Sequence, residues 1–302
     1  MAKSIKEAMS TAVAKSSFLK EITEEERLRL QTVLTNMLRD IQDACKEADI
    51  DFAVAYGTVL GAVRHLGFIP WDDDIDLIMV RSEWERFKEK FSNILGDKYS
   101  MEAPRFQNKD SKTTWGKIYL RNTELVEIQE VAMPFEKGIF IDVFILDNVS
   151  DCSLIRKIDA FISYWMKGIA TSQLLYKYQS TQMKALMASD KQVGEYYKKR
   201  LLLGKMFSFI PHKVWCGWFD KFIGRHHKQT RNMTVAMATS YEEELFDRND
   251  LLPFRTATFN GLEVKVPNRL DVYLSKLYGE KYMQLPPVEK REKHFIVSLN
   301  FG

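Results

Sequence analysis

Four aspartates crowd the stretch Trp71-Asp72-Asp73-Asp74-Ile75-Asp76, which runs straight into the apolar segment Leu77-Ile78-Met79-Val80. Successive side chains of a β-strand point to opposite faces. Asp74 and Asp76, spaced i, i+2, are therefore predicted to share one face of a strand, while Ile75 and Leu77 face a core. Two carboxylates held about 7 Å apart on a strand repel each other unless a cation lies between them. Such a pair suits a hard divalent cation, Mg²⁺ (or Mn²⁺), held beside substrate phosphates. A calcium loop fits in part, with Asp72, Asp74 and Asp76 at its first, third and fifth positions and Glu83 at its last. Its sixth position needs Gly for a sharp turn, and here Leu77 opens a strand-like run. A solvated acidic loop is the plainer alternative.

A third carboxylate comes from residues 138–147, G-I-F-I-D-V-F-I-L-D. Asp142 stands inside an apolar, β-branched and aromatic run, the pattern of a buried central strand. A charge there is costly unless it is paired or metal-bound. Asp142 is thus a metal ligand or general base, or else one half of a buried ion pair with Lys or Arg. Asp147 closes the run and reads as a turn or cap. Upstream of the acids, Gly57-Thr58 leads a helical turn over 58–65, whose positive N-terminal end suits a phosphate. Arg64 and His65 follow and could contact a nucleotide phosphate, or serve as surface cations for the Asp cluster. Lys117 and Arg121 flank a strand-like segment, Thr114 to Leu120, as substrate-facing cations or as ordinary strand-edge cations.

The elements that must position these groups are partly visible. Residues 22–49 are predicted to be helical, with Thr23 as N-cap, Glu26 completing a capping box, and Leu30, Leu34, Met37, Leu38 and Ile41 at helical spacing. A short strand is expected over 50–55, an amphipathic helix over 82–95 with Trp84, Phe87, Phe91 and Leu95 on one side, and a mainly helical stretch over 152–240. Asn260-Gly261 between T-A-T-F and L-E-V-K-V predicts a hairpin. A last helix runs from Asp271 to about Gly279. The fold class is α/β (α+β): a small mixed sheet carrying the aspartates, backed by helices, plus a mostly helical insertion. The expected division is a catalytic core over 1–150, a basic and aromatic insertion over 151–240, and a C-terminal hairpin and helix over 241–302 that complete the core.

The string G-T-V-L-G-A-V-R-H-L-G-F-I-P-W-D-D-D-I-D (57–76) resembles the signature of the LicD family, which is similar to fukutin-related protein and belongs to the nucleotidyltransferase superfamily. Segments 115–125, 138–147 and 266–294 follow in the family's order. The similarity spans about residues 30 to 295 and weakens across 150 to 240. The resemblance implies a nucleotidyltransferase-like sheet with Asp74, Asp76 and Asp142 as catalytic and metal-holding carboxylates. Gly57-Thr58 takes the place of the family's phosphate turn, with Thr where Gly or Ser is usual. It also implies transfer of phosphocholine, or a related phospho-group, from a CDP-linked donor to a glycan or lipid-linked glycan acceptor, with no nucleic acid as partner. The residues alone stop at metal-dependent transfer involving a phosphoester. They leave open the addition of a nucleoside monophosphate from an NTP to a small molecule or RNA, and a non-catalytic nucleotide-binding scaffold. Trp71, Trp115 or Tyr119 could help to cage a quaternary ammonium.

The 302-residue chain is 45% hydrophobic and 28% charged, ordinary for a globular protein. It has no apolar run long enough to span a bilayer, and residues 1–10 lack the apolar core of a signal peptide. Cys45, Cys152 and Cys216 are isolated, which suits a reducing cytoplasm. The net charge of +3 is unevenly spread: residues 151–231 hold 15 Lys and Arg against 5 Asp and Glu, a local +10, which leaves −7 for the rest. This basic, aromatic-rich middle is expected to face a phosphorylated or lipid-linked acceptor or the inner face of the cell membrane, through cations such as Lys198, Lys199, Arg200 and Lys205. A solvated helical face explains the same charge.

Overall fold

The apolar runs of the sequence become the strands of a mixed sheet, in a computed structural model that describes residues 16, 18–237, 241–287, 291 and 295–302. Residues 1–10, read above for a signal peptide, lie outside the described residues, as do 288–290 and 292–294 of the C-terminal family-like segment. Strand β1 (Lys20–Glu21) leads into helix α1 (Glu24–Glu47). The helix starts at the predicted capping box: Glu26 N donates to Thr23 Oγ1 at 3.2 Å, and Thr23 N donates to Glu26 Oε2 at 3.1 Å. Leu30, Leu34, Met37, Leu38 and Ile41 are all buried along one side of α1.

Strand β2 (Ala53–Val54), helix α2 (Tyr56–His65), strand β3 (Asp76–Val80) and helix α3 (Arg81–Ile94) come next, followed by β4 (Tyr99–Glu102), β5 (Gly116–Leu120), β6 (Glu124–Glu127) and β7 (Phe140–Asn148). Helices α4 (Ser153–Lys177), α5 (Thr181–Ser189), α6 (Lys191–Met206) and α7 (His212–Ile223) form the helical segment. The chain closes with β8 (Asn232–Thr234), β9 (Leu245–Asp247), the short α8 (Arg248–Leu251), β10 (Arg255–Phe259), β11 (Leu262–Val266), α9 (Leu270–Tyr278) and β12 (Phe295–Asn300). The central sheet has the order β2-β3-β7-β5-β4. Its β3–β7 pair is parallel, and the other neighbours are antiparallel. A second sheet has the order β1-β12-β6, and β10-β11 is the predicted hairpin. Asn260 (φ 47°) and Gly261 (φ 76°) both adopt the left-handed values that such a two-residue turn needs.

Three expectations change. The acidic strand begins at Asp76, so Asp74 lies in the preceding loop and does not share a strand face with it. The ladder sets this limit: β7 pairs from Asp76 onward and β2 from Leu77, and the Asp72 amide is already turned back onto Ile69 O at 2.9 Å. The helical stretch expected to reach residue 240 ends at Ile223. Strand β7 outruns its neighbours, and Asp147 and Asn148 at its end pair with Thr234 and Met233 of β8, which draws the chain back to the sheet. Asp147, read as a turn or cap, is 1% exposed.

Burying Asp147 requires a cation, and Arg81 supplies it at the first position of α3. Its Nε and Nη2 donate to the two oxygens of Asp147, both at 2.7 Å. Its Nη1 donates to Asp220 Oδ1 of α7 at 2.6 Å, and Arg105 Nη1 reaches the other oxygen of Asp220 at 2.9 Å. One guanidinium thus ties β7, α3 and the helical segment together. Arg81→Met would leave the buried Asp147 without its counter-charge and Asp220 with Arg105 alone. It is expected to lower unfolding free energy by about 3–5 kcal/mol, measured by urea denaturation. Adding Asp147→Asn and Asp220→Asn to Arg81→Met should recover part of the loss.

Candidate active site

The parallel register of β3 and β7 sets Asp76 directly beside Asp142. Adjacent strands lie about 4.8 Å apart, so the two side chains are neighbours on the sheet. The start of β3 is pinned from α2: Asp76 N donates to Thr58 Oγ1 at 3.0 Å, and Ala55 N donates to Asp76 O at 2.8 Å. Thr58 is 2% exposed, so its hydroxyl is engaged with the Asp76 backbone and is not presented to a phosphate. Gly57 permits a close approach of another kind. A Cβ at this position would come within 2.9 Å of Asp72 Oδ2, so the absent side chain lets an aspartate lie against the first turn of α2.

The acidic loop converges on itself. One oxygen from each of Asp72, Asp73 and Asp74 lies within 4.8 Å of the other two. Helix α1 holds the loop in place, with Gln31 Nε2 donating to Asp72 O at 2.8 Å. The carboxyl of Asp76 is pushed well above the usual carboxylate range, first by burial and then by Asp74, Asp142 and Asp72. Crowded carboxylates that raise one another's proton affinity are the donor set that a hard divalent cation relieves. The oxygen-only chemistry of the loop and of the Asp76–Asp142 pair fits Mg²⁺ or Mn²⁺.

Asp142 has partners of its own. Lys117, its neighbour on β5, brings Nζ to 3.2 Å from Oδ1, with the two side chains 4% and 15% exposed. Trp115 Nε1 donates to the same oxygen at 2.8 Å. The ion-pair alternative weighed for Asp142 is therefore present, and Lys117 is a buried counter-ion and no strand-edge cation. Burial raises the Asp142 carboxyl despite these two donors. For Lys117, burial works to lower the ammonium's pKa, but Asp142 with Glu127 and Glu130 raises it overall, so the side chain stays charged. Behind Lys117, Lys112 Nζ pairs with Glu130 at 2.7 Å, and Lys112 N donates to Glu102.

The other expected residues spread out. Arg64 donates from Nε to His65 Nε2 at 2.9 Å and from Nη1 to Tyr282 O at 2.9 Å, which ties α2 to the chain after α9. The His65 imidazole is held below its usual pKa by burial and by Arg64, in keeping with an unprotonated acceptor nitrogen. Arg121 is exposed, and its Nε donates to Tyr99 O at 3.1 Å. It lies beyond the end of β5, four residues from Lys117, and the structure does not bring it to the carboxylates. Of the three aromatic candidates, Tyr119 is fully buried, and Trp71 already has the Arg291 guanidinium 4.3 Å from its ring. Trp115 remains at the site, stacked on Phe144 with ring centroids 5.8 Å apart.

Several site groups come from far along the chain and carried no sequence signal. Tyr56 opens α2 at φ 45°, its amide donating to Tyr273 Oη of α9 at 3.1 Å and its hydroxyl to the buried Glu244. Tyr278, exposed at the end of α9, lies in the field of Asp76, Asp72 and Asp74. A cleft of about 170 Å³ opens beside α4, lined by Ser163, Lys167, Tyr241 and Glu242 among others. Asp72 and Asp73 stand in the acidic run, where the sequence alone offers them no role beyond a calcium-loop position for Asp72 or a solvated loop.

Comparison with known proteins finds similarity to one family over the part of the chain that carries this geometry. Residues 49–153 match the family model described as LicD/FKTN/FKRP, nucleotidyltransferase domain. This span contains α2, the acidic loop, β3, β5 and β7. The chain is 26% identical over 280 residues to the lipopolysaccharide cholinephosphotransferase LicD of Haemophilus influenzae, covering 92% of this chain and 98% of that one. Shorter similarities join it to uncharacterized proteins of Rickettsia typhi, 34% identical over 56 residues, and Rickettsia prowazekii, 41% over 44 residues. These cover 18% and 15% of this chain, and 18% and 16% of the respective relatives.

Two outcomes follow from the buried charges. Asp142→Asn strands the Lys117 ammonium and is expected to destabilise the fold in metal-free buffer by about 3–5 kcal/mol. Adding Lys117→Met should restore much of this, as read from urea midpoints. Burial pushes the Glu102 carboxyl up to about 7, from an ordinary 4.5. Its proton is held more tightly in the folded state, so its contribution is complete below the unfolded value and is lost as the pH rises through about 7. Glu102→Gln should therefore match the wild type at pH near 4 and exceed it by about 3 kcal/mol near pH 8.

Proposed function

We propose that this chain, similar to the LicD family, transfers phosphocholine, or a related phospho-group, from a CDP-activated donor to a sugar of a cell-surface glycan or of its lipid-linked precursor. The observation that carries this reading is the Asp76–Asp142 pair on parallel strands, with Asp72, Asp73 and Asp74 clustered beside it. The name of the Haemophilus relative supports phosphocholine and a lipopolysaccharide acceptor.

In this reading Asp74, Asp76 and Asp142, with Asp72 and Asp73 at hand, would hold Mg²⁺ or Mn²⁺. The bound cation would neutralise the donor's phosphates and ease departure of the nucleotide. The chain's own residues do the rest. Asp142, oriented by Trp115 and Lys117, serves as a ligand of that cation or as the group that takes the proton of the attacking sugar hydroxyl. That oxygen attacks the phosphorus bearing choline, the pyrophosphate link breaks, and CMP leaves. Trp115, with its ring beside Asp142, is the aromatic surface best placed to meet a quaternary ammonium.

A panel of CDP-choline, CDP-ethanolamine, CDP-glycerol, CDP-ribitol and NTPs, scored for CMP or pyrophosphate, tests the assignment. CMP release from one CDP donor, dependent on added Mg²⁺ and on a glycan acceptor, is expected. Asp76→Asn should lower kcat by at least about a thousandfold, on the scale of about 4 kcal/mol of lost transition-state stabilisation. Pyrophosphate release from an NTP, with every CDP donor inert, would overturn it in favour of nucleotidyl transfer.

A further inference from the structure

We propose that the helical segment docks on an anionic phospholipid bilayer through an apolar ridge on α4. The first half of this helix is inverted. Its buried positions are Asp159 and Ser163, and Asp159 is satisfied by Arg225 and by His226 Nε2 at 3.4 Å. The large apolar side chains face outward instead. Leu154, Ile158, Phe161 and Trp165 are 66%, 50%, 65% and 44% exposed. Their spacing of four, three and four residues places them on one narrow stripe of the helix. Such a stripe has no role in a water-facing helix, where outward positions are ordinarily polar.

The ridge continues into a second apolar surface. A groove of about 380 Å³ runs between α4 and the Phe207–Trp215 corner, and its seven lining side chains are all apolar. Phe209 is 75% exposed and stacks on Phe207 at 6.3 Å, while Trp218 is 46% exposed and meets Trp215 edge-on at 5.3 Å. Contiguous exposed apolar surface of this kind marks an interaction site. Tryptophan and phenylalanine set among lysines are the composition of an element that lies in a bilayer's interfacial zone.

Charge selects lipid as the occupant. The segment 151–231 carries +10, and exposed lysines adjoin the apolar residues along the chain: Lys157 next to Ile158, Lys205 just before Phe207, and Lys221 three residues after Trp218. Arg200, grouped from the sequence with Lys198, Lys199 and Lys205, is tied to Ser172, Thr171 and Tyr196 and does not contribute. An apolar face and a set of lysines are two weak signals that act together on an anionic membrane. No helix among the described residues is long and apolar enough to cross a membrane, so the contact is peripheral. The far side of α4 lines the cleft containing Ser163 and Lys167, and Lys167 lies in the field of Glu244, the partner of Tyr56. Docking would hold that cleft about one helix diameter, roughly 10 Å, from the lipid.

Flotation with vesicles of phosphatidylcholine alone or mixed with phosphatidylglycerol tests this without any turnover, so its outcome is independent of the transfer reaction. Wild-type protein is expected to float with the anionic vesicles at low salt and to be released by high salt. Phe161→Ser with Trp165→Ser should bind about tenfold more weakly, as should Lys157→Gln with Lys205→Gln and Lys221→Gln. Quenching of wild-type tryptophan fluorescence by bromine-labelled acyl chains is expected and should fall in Trp165→Phe. The proposal is overturned if wild-type protein ignores anionic vesicles, or if bound protein shows no quenching. It is equally overturned if light scattering finds a stable dimer that Phe161→Ser with Trp165→Ser converts to a monomer, since the ridge would then be covered by a second copy.

Discussion

Asp76 and Asp142 lie side by side because β3 and β7 are parallel and in register, and like charges directly opposite on neighbouring strands destabilise a sheet. Much of the surrounding structure answers that repulsion. Lys117 arrives on the other neighbour of β7 and Trp115 adds an indole N–H, so one side of the pair is neutralised from within the fold. The other side is left to the acidic loop, where more carboxylates gather and none of them relieves Asp76. The asymmetry is chemically useful. Asp142 is thus balanced within the fold, whereas Asp76 has further carboxylates for neighbours.

Strand β7 solves the same problem twice in different ways. Five residues beyond Asp142, Asp147 is matched by the Arg81 fork, with two hydrogen bonds of equal length and a second acid, Asp220, on the same guanidinium. A planar fork fixes direction as well as charge. It suits a joint between sheet and helical segment, which must not move. Lysine at Asp142 is a point charge on a flexible stem, able to follow the carboxylate if its other contacts change during a reaction.

Local signals in the sequence located most elements. The Thr23–Glu26 capping box placed the start of α1, the Trp84–Phe87–Phe91 spacing placed α3, and Asn260-Gly261 placed the hairpin. The Asp76 and Asp142 pair was legible as chemistry, because charges in apolar runs need partners. What stayed hidden depended on who the partner is. The loop conformation of Asp74 is decided by the absence of a facing ladder, which no local pattern records. Asp147 looked like a turn because Arg81, its counter-charge, is 66 residues away. Tyr273 and Glu244 reach the head of α2 from 217 and 188 residues away and show no motif. The inverted half of α4 was visible only as composition, since a stripe of apolar residues reads equally as core until its exposure is known.

The hairpin tip has a consequence in time. Asn260 N donates to Leu66 O at 2.9 Å, and its side-chain amide donates to Thr35 Oγ1 at 3.0 Å, so the turn clasps α1 and the end of α2 from more than 190 residues away. Tyr273 completes the same clasp at Tyr56. Contacts this distant must await loop closure and slow the folding of a chain. On the ribosome, where domains form as they emerge, the acid loop would be synthesised early yet keep an unfinished frame until the hairpin and α9 have followed. Through that interval the aspartates would lack the contacts that fix their frame, which come only with the last quarter of the chain.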